Sequence, residues 1–500
     1  MKLSLLKQSL IEKNESLPKE KRVVSNVREK FKSKEGIDVN SNNKYVINGK
    51  KDNFEGLLLS NQKGEMVEEN CEKEEVLPDI DSIKIIGITG SRGKSSTAFL
   101  VHEYLESLGY KSILYSSIKI KSPTSYTNED EACEVPLQDE NILLNIIEEA
   151  EAYNADFIIL EVNETAIEKG LIEGIPFTVR ALTNINPHHN DEQYTTEEYI
   201  NLKRSFFKNI PEDEDCTCVL GLTANFTREK FNEYMHLNNH PKLTYGTKYL
   251  CEINNANYSN IDCLLYHMAS SIDGIELGFR LKEKMYELNT KLILPHNGLN
   301  IICTIAILEA LDLFDLEAFQ KCIYDIKIPG REEIIKINDR TIVIGLSIMP
   351  ALENFKVYKA NSHINKVKVL TAAIGTGFVT WDKALSAERY ISKRSSVRRY
   401  CMNYVKENAD FAYITSNDNA AEDPLEIAKE MQGYLNEEIP SVIIVDREEA
   451  IKRAILESEP NDLIYISGRG NRRIFCDTAT TVKLFQDKEV VENVLKELKW

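Results

Sequence analysis

Six consecutive residues, Gly90-Ser91-Arg92-Gly93-Lys94-Ser95, have the types and spacing needed to hold a phosphate. Two glycines allow backbone N–H groups to turn inward as an anion nest at a helix N-terminus. Lys94 would then reach the β- and γ-phosphates of a nucleotide, and the Ser95 hydroxyl, followed by Ser96, would sit on Mg²⁺. The common G-x-x-x-x-G-K-[ST] spacing places a glycine where this chain has Ile88, and the additional glycine is Gly87 instead.

Other candidates lie further along. Glu161 ends the apolar run 157–162, so its carboxylate projects from a strand end where it could hold a cation. The segment from Thr183 to Asp191 ends another strand in adjacent polar groups, among them His188 and His189. His189 could ligate a second cation or orient a phosphate. Tyr199 and Lys203 are one helical turn apart, and on composition alone Lys203 reads as a solvated helix lysine. The polar loop 119–136, containing Ser122 and Thr127, is placed where a substrate would be expected.

These groups need a parallel sheet to position them. From residue 82 onward, β-branched runs alternate with helical stretches, the pattern of strands joined by right-handed crossovers. We expect strands at 83–89, 157–162, 178–185 and 216–220, and helices at 95–108, 137–153 and 299–311. An antiparallel meander without helix is expected over 250–294. Pro329-Gly330 ends a helical stretch as a turn dipeptide, and beyond it the strand–helix alternation restarts in a second doubly wound unit. The expected architecture is α/β in three domains. These are a small N-terminal domain (1–80), a central P-loop parallel-sheet ATPase domain (81–328) and a C-terminal Rossmann-like domain (329–500).

Bulk composition narrows the function. The 500 residues carry a net charge of −18 at neutral pH, which argues against nucleic acid as a partner. No apolar run reaches transmembrane length and the start lacks a signal-peptide core, so a cytoplasmic protein without a membrane partner is expected. The 10 cysteines are scattered without metal-ligand spacing and read as reduced thiols. Residues 1–51 hold thirteen Lys or Arg against six Asp or Glu, whereas 52–81 hold two against ten. This arrangement fits a self-complementary pair of faces or an arm. Weak strands are expected at 44–49 and 55–60. Composition says nothing of oligomeric state.

In order, the motifs G-x-T-G-x-x-G-K-[ST]-[ST]-T, E-V, T-N-I-x-x-x-H and Y-x-x-x-K-x-x-x-F resemble the Mur ligase family of ATP-dependent amide-bond-forming enzymes. The resemblance continues through Gly298, Asn300 and Ala306, through Pro329-Gly330-Arg331, and through the 415–424 and 446–451 segments, covering roughly residues 80–480. These last segments look like the branch closest to muramoyl-tripeptide synthetases. The loop Ser91-Arg92-Gly93-Lys94-Ser95-Ser96 also resembles that of poly-γ-glutamate synthetases. The resemblance implies ATP and Mg²⁺ as cofactors, with a small-molecule carboxylate and an amino acid as substrates joined through an acyl phosphate. Lys94, Lys203 and His189 would be catalytic. Gly90 to Ser96, Asn300 and Arg331 would contact the nucleotide, and Ser95, Glu161 and His189 would hold the metal. Lys203 matches the position of the family's carbamylated lysine.

The sequence also departs from the family pattern. Where the family has V-D-Y-A-H-x-P against the nucleotide, this chain has Ile344-Gly345-Leu346-Ser347-Ile348-Met349-Pro350, lacking both the Asp and the His. Cys303 replaces the second Asn of the adenine-side helix, and His188 replaces an Asp. The Asp-Asn-Pro-Arg signature for diaminopimelate reads Asp418-Asn419-Ala420-Ala421, which argues against that amino acid. The alternative to a ligase is a regulatory or scaffolding module that binds ATP on the same fold. A plain P-loop ATPase or kinase lacks a convincing hydrolytic base.

Overall fold

A computed structural model of the chain describes residues 2–16, 79–118, 120–121, 137, 140–185, 194–208, 210–222, 228–253, 258–373, 377–380, 388–391, 395–419, 422–476 and 482–500. The weak strands expected at 44–49 and 55–60, most of the 119–136 loop, and His188 and His189 lie outside them.

Two sheets carry the molecule. The first has ten strands: β1 (Lys84–Thr89), β2 (Ser112–Tyr115), β3 (Ile120–Lys121), β4 (Phe157–Glu161), β5 (Phe177–Leu182), β6 (Thr217–Leu222), β7 (Lys242–Thr247), β8 (Cys263–Ser271), β9 (Gly274–Leu281) and β10 (Lys284–Thr290). Their order is β10-β9-β8-β7-β6-β5-β1-β4-β2-β3. The stretch from β8 through β7, β6, β5, β1 and β4 to β2 pairs in parallel, and the β8–β10 meander is antiparallel. The parallel strands are buried on both faces, which is why they read as continuous apolar runs. Alternate side chains separate into two cores. Ile158, Leu160 and Phe177 face one core, and Phe157, Ile159 and Val179 face the other.

Helix α1 (Leu3–Ser16) packs against the first of these cores through Leu3, Leu6 and Leu10. It is tied down by Ser4, whose N and Oγ donate to Asp81, and by Lys7 paired to Glu151 at 2.6 Å. Helix α2 (Lys94–Ser107) lies in the opposite core and begins one residue before the expected start. Helix α3 (Glu140–Tyr153) begins later than expected because Leu137 takes φ +52°, a left-handed conformation that an α-helix cannot include. Next come α4 (Glu164–Glu168), α5 (Thr196–Lys208) and α6 (Pro295–Ala310). Pro295 occupies the first turn of α6, where a missing N–H costs nothing. The meander expectation needs one correction. A short helix, Lys248–Ile253, precedes it, started by the Thr247 hydroxyl accepting from Leu250 N at 3.0 Å. The strand β7 was not anticipated by the sequence reading.

The second sheet comprises β11 (Glu333–Ile337), β12 (Arg340–Ile344), β13 (Val367–Ala372), β14 (Phe411–Thr415), β15 (Ser441–Ile443) and β16 (Leu463–Ile466). Their order is β11-β12-β16-β13-β14-β15, parallel except for the β11 edge hairpin. Helices cover both faces. Phe355, Met402 and Met431 lie over one, and Ile451, Ile455 and Val491 over the other. No helix among the described residues is long and apolar enough to cross a membrane.

Candidate functional site

The phosphate-type loop lies between β1 and α2, at the carboxyl ends of the parallel strands. Gly90 and Gly93 take φ +141° and +81°. A side chain on Gly93 would also run into the Asn300 carboxamide from α6, so glycine is required there on two counts. The segment after β5 braces the loop. Asn184 accepts from Ser91 N at 2.9 Å and from Arg92 N at 3.1 Å, while Thr183 Oγ1 donates to Arg92 O at 2.6 Å. The Lys94 ammonium folds over the loop, donating to the carbonyls of Gly90 at 2.8 Å and Ser91 at 3.3 Å.

Ser95 and Glu161 come together through a residue that the sequence reading missed. Ser95 Oγ lies 2.8 Å from Ser117 Oγ, and the Ser117 N–H and hydroxyl both donate to Glu161 Oε2, at 2.8 and 3.0 Å. Two hydroxyls and one carboxylate form a hard-oxygen donor set suited to Mg²⁺, which keeps several waters and shares phosphate oxygens. Among the described residues no group of three His, Cys, Asp or Glu could hold a metal, so a site built from these residues would depend on the ligand's own oxygens.

Lys203 is not solvated as its composition suggested. On α5 it has no exposed surface, and its Nζ lies 2.8 Å from Glu164 Oε1 on α4 and 3.1 Å from Thr89 Oγ1. Tyr199 OH donates to Glu164 at 3.1 Å and lies 2.9 Å from Ser91 Oγ, linking the pair to the phosphate loop. Burial pushes the Lys203 amine down to about 8, with the Glu164 charge opposing and Lys94 adding to the fall. Burial would raise the Glu164 carboxyl, but the Lys94 and Lys203 charges outweigh it and hold the group well below the usual carboxylate range. Glu164 has no motif to mark it. Lys203 had an available signal in Tyr199 and Phe206, buried one turn to either side.

The loop forms one wall of a cavity of about 620 Å³ whose opposite wall comes from the second sheet's loops. Asn300 and Arg331 both line it. Arg331 Nη1 lies 3.2 Å from Asn471 Oδ1, and Asn471 Nδ2 donates across to Ile118 O at 2.9 Å. Arg92, Lys94, Arg331 and Arg472 line it, as does Arg398, which is paired with Glu422 and Glu430, and Glu332 is the acid among the lining residues. Glu332 sits at φ +52° and is buried. Its Oε2 makes no hydrogen bond among the described residues and lies 3.4 Å from His296 Nε2. A Cβ on Gly345 would lie 3.1 Å from Glu332 Oε1, so this carboxylate reaches the space next to the missing aspartate side chain. Asp418, from the 415–424 segment, is buried against Arg469 at 3.0 Å.

Two family descriptions match in order. The Mur ligase middle domain matches residues 88–308, and the Mur ligase glutamate ligase domain matches residues 384–470. The chain belongs to the Mur ligase family. It is 26% identical over 420 residues to a UDP-N-acetylmuramoyl-L-alanyl-D-glutamate–2,6-diaminopimelate ligase of Geobacillus kaustophilus, covering 83% of this chain and 79% of the relative. A solved structure of an enzyme of that name superposes with a TM-score of 0.56 at 18% identity, covering 84% of this chain and 79% of the other. The MurF ligase of Thermotoga maritima in complex with ADP gives a TM-score of 0.54 at 17% identity, covering 84% and 81%. This Mur ligase is an ATP-dependent, amide-forming enzyme that uses Mg²⁺, and the ATP-binding scaffold is the disfavoured alternative. Small molecules are its substrates.

Proposed function

We propose that the chain joins the carboxylate of one small molecule to the amino group of an amino acid, with the nucleotide held in the cavity between the two sheets. The observation that carries this reading is the facing of the Gly90–Ser96 loop, with Ser95, Ser117 and Glu161 beside it, across the basic-lined cavity from the second sheet. Loop N–H groups and Lys94 hold the phosphates. Ser95 and Glu161, with His189 from the resemblance, would hold Mg²⁺, which would supply charge neutralisation at the transferring phosphoryl group. Asn300 faces the adenine and Arg331 the nucleotide near the crossing to the second sheet. Glu332, the acid among basic lining residues, suits a part of the nucleotide that donates hydrogen bonds, namely the ribose diol.

The acid substrate's carboxylate oxygen attacks the γ-phosphorus and ADP leaves, giving an acyl phosphate. The amine then attacks the acyl carbon, phosphate leaves, and the amine's extra proton is lost. Lys94 and the guanidinium groups offset charge on the phosphoryl group in flight. The two-walled cavity keeps water from the acyl phosphate.

The Geobacillus kaustophilus relative is a 2,6-diaminopimelate ligase. We assign a different amine substrate here, because Ala420 and Ala421 stand in the signature and Asp418 is already neutralised by Arg469. The protein works in the cytoplasm, without nucleic acid or membrane as partner. The test is release of ADP and phosphate from Mg²⁺-ATP across a panel of amino acids, with and without candidate acids. Release that needs both an acid and an amine supports the reading, and release with neither required overturns it.

A further inference from the structure

The two units also meet away from the cavity. Ile272, Ile293 and Leu294 belong to the first unit by sequence, yet they lie in the second unit's apolar core with Phe355, Tyr358 and Met402. Tyr358 is a buried residue of the helix Met349–Asn361. Its hydroxyl accepts from Leu294 N at 3.1 Å and is also hydrogen-bonded to Ser270 Oγ.

Leu294 stands immediately before α6, and its backbone is strained. The ψ of 133° is what a residue preceding proline adopts, but φ +70° is a left-handed value that a leucine side chain resists. Such a conformation persists only where its surroundings over-determine it. Here those surroundings come from the second unit: a core that buries the side chain and a phenol oxygen that takes the N–H.

From this turn a line of hydrogen bonds runs to the phosphate loop. Leu294 O accepts from Asn297 N at 3.0 Å, and Ile293 O accepts from Asn297 Nδ2 at 2.8 Å. Asn297 Oδ1 in turn accepts from Asn300 Nδ2 at 3.2 Å. The Asn300 carboxamide closes over Gly93, and Asn300 lines the cavity. A change of φ at Leu294 would move the two carbonyls relative to each other, and Asn297 and Asn300 with them.

We propose that Tyr358 is a positioning residue: by holding the strained turn at Leu294, it makes the seating of the second unit set the placement of Asn300 against the nucleotide. The proposal rests on the reading that the nucleotide occupies the cavity. Failure of that reading would leave wild-type protein that binds no ATP, whereas failure of the proposal leaves ATP binding that Tyr358→Phe does not alter.

The test is equilibrium dialysis of the full-length protein with Mg²⁺-ATP. Tyr358→Phe keeps the ring and removes the acceptor, and should raise the Kd about tenfold, equivalent to about 1.4 kcal/mol. Ser270→Ala, which removes the hydroxyl's other partner, should change it less than twofold. In an Asn297→Ala background, where the line is already cut, Tyr358→Phe should add less than twofold. Steady-state kinetics should show the KM for ATP rising with the Kd, while kcat and the KM values for acid and amine stay within twofold; loosened packing alone would move all of them. Hydrogen exchange of the wild type needs no variant: by reciprocity, bound ATP should slow exchange of the Leu294 amide about tenfold more than that of amides in β11. An unchanged Kd in Tyr358→Phe, a full tenfold effect persisting in the Asn297→Ala background, or no selective slowing at Leu294 overturns the proposal.

Discussion

A buried carboxylate oxygen without a hydrogen bond is rare, because leaving a charged group unsatisfied costs a few kcal/mol. Glu332 Oε2 is in this state, with His296 Nε2 3.4 Å away, in a cavity whose other charged lining residues are basic. If the ribose diol is its partner, Glu332→Ala should raise the KM for ATP about tenfold, for a loss of about 1.4 kcal/mol, and leave kcat almost unchanged. Steady-state kinetics at saturating acid and amine would show this split, and an equal fall in kcat would remove the diol assignment. The Glu164–Lys203 pair has a different signature. Replacing one member of a buried pair costs about 3–5 kcal/mol, whereas replacing both with uncharged groups of similar shape costs much less. Glu164→Gln should therefore melt well below the Glu164→Gln/Lys203→Met double variant. Because the folded-state pKa of Glu164 is depressed, its contribution is fully present above the unfolded value of about 4.3 and fades as pH falls below it. The gap in melting temperature between wild type and Glu164→Gln should therefore narrow from pH 6 to pH 3. Sequence reading placed Lys94, Ser95 and Glu161 because each lies within or at the end of a contiguous motif. Ser117 was not legible, since folding brings it to the site from a separate stretch, while Glu164 and Glu332 sit close in sequence to Glu161 and Arg331 but occupy no motif position.

At the scale of elements, apolar β-branched runs marked the parallel strands, and burial on both faces explains why. Short elements set by single side chains were not legible. The Lys248–Ile253 helix depends on the Thr247 hydroxyl, and the delayed start of α3 on the backbone of Leu137. The ribbons Gly377–Thr380 with Glu388–Ile391 and Ile474–Cys476 with Val482–Leu484 pair too few residues to show a period. Element junctions also decide coupling. Asn471 joins the loop after β16 both to Ile118, following β2, and to Arg331, at the crossing between sheets. Asn471→Ala should loosen that junction and admit water to the acyl phosphate. The expected outcome is more phosphate released per amide formed, with ATP binding retained; an unchanged ratio would show that the junction does not govern water entry. Gly93→Ala should abolish nucleotide binding, because φ +81° strains any L side chain and the Asn300 carboxamide blocks it. Equilibrium dialysis with labelled ATP would measure this.

Across the whole molecule, a net charge of −18 surrounds a cavity lined by basic side chains. If these side chains bind the nucleotide's phosphates, salt should weaken nucleotide binding even though the protein as a whole repels anions. Because the cavity wall is drawn from both sheets, Mg²⁺-ATP should stabilise both units together. At a hundredfold excess over Kd the gain is about 2.7 kcal/mol. Calorimetry should show both units melting later with nucleotide, and a shift confined to one unit would place the nucleotide outside the shared cavity. The division into three domains was legible only in part. Helix α1, assigned by sequence to a separate N-terminal domain, packs on the first sheet's core, and 17–78 lie outside the described residues.

The anchoring of α1 has a consequence for how the chain could be divided. Ser16 ends a helix seated on the first sheet's core, and Asp79 enters the same unit. Burying three leucines yields roughly 5–9 kcal/mol, whereas bringing two free molecules together costs about 4–15 kcal/mol. Covalent connection removes most of that cost by keeping the helix at an effective concentration in the millimolar range. A protease site engineered into 17–78 would turn α1 from a built-in brace into a weak, dilutable ligand, and the cleaved protein would behave as a two-piece assembly whose stability depends on its own concentration.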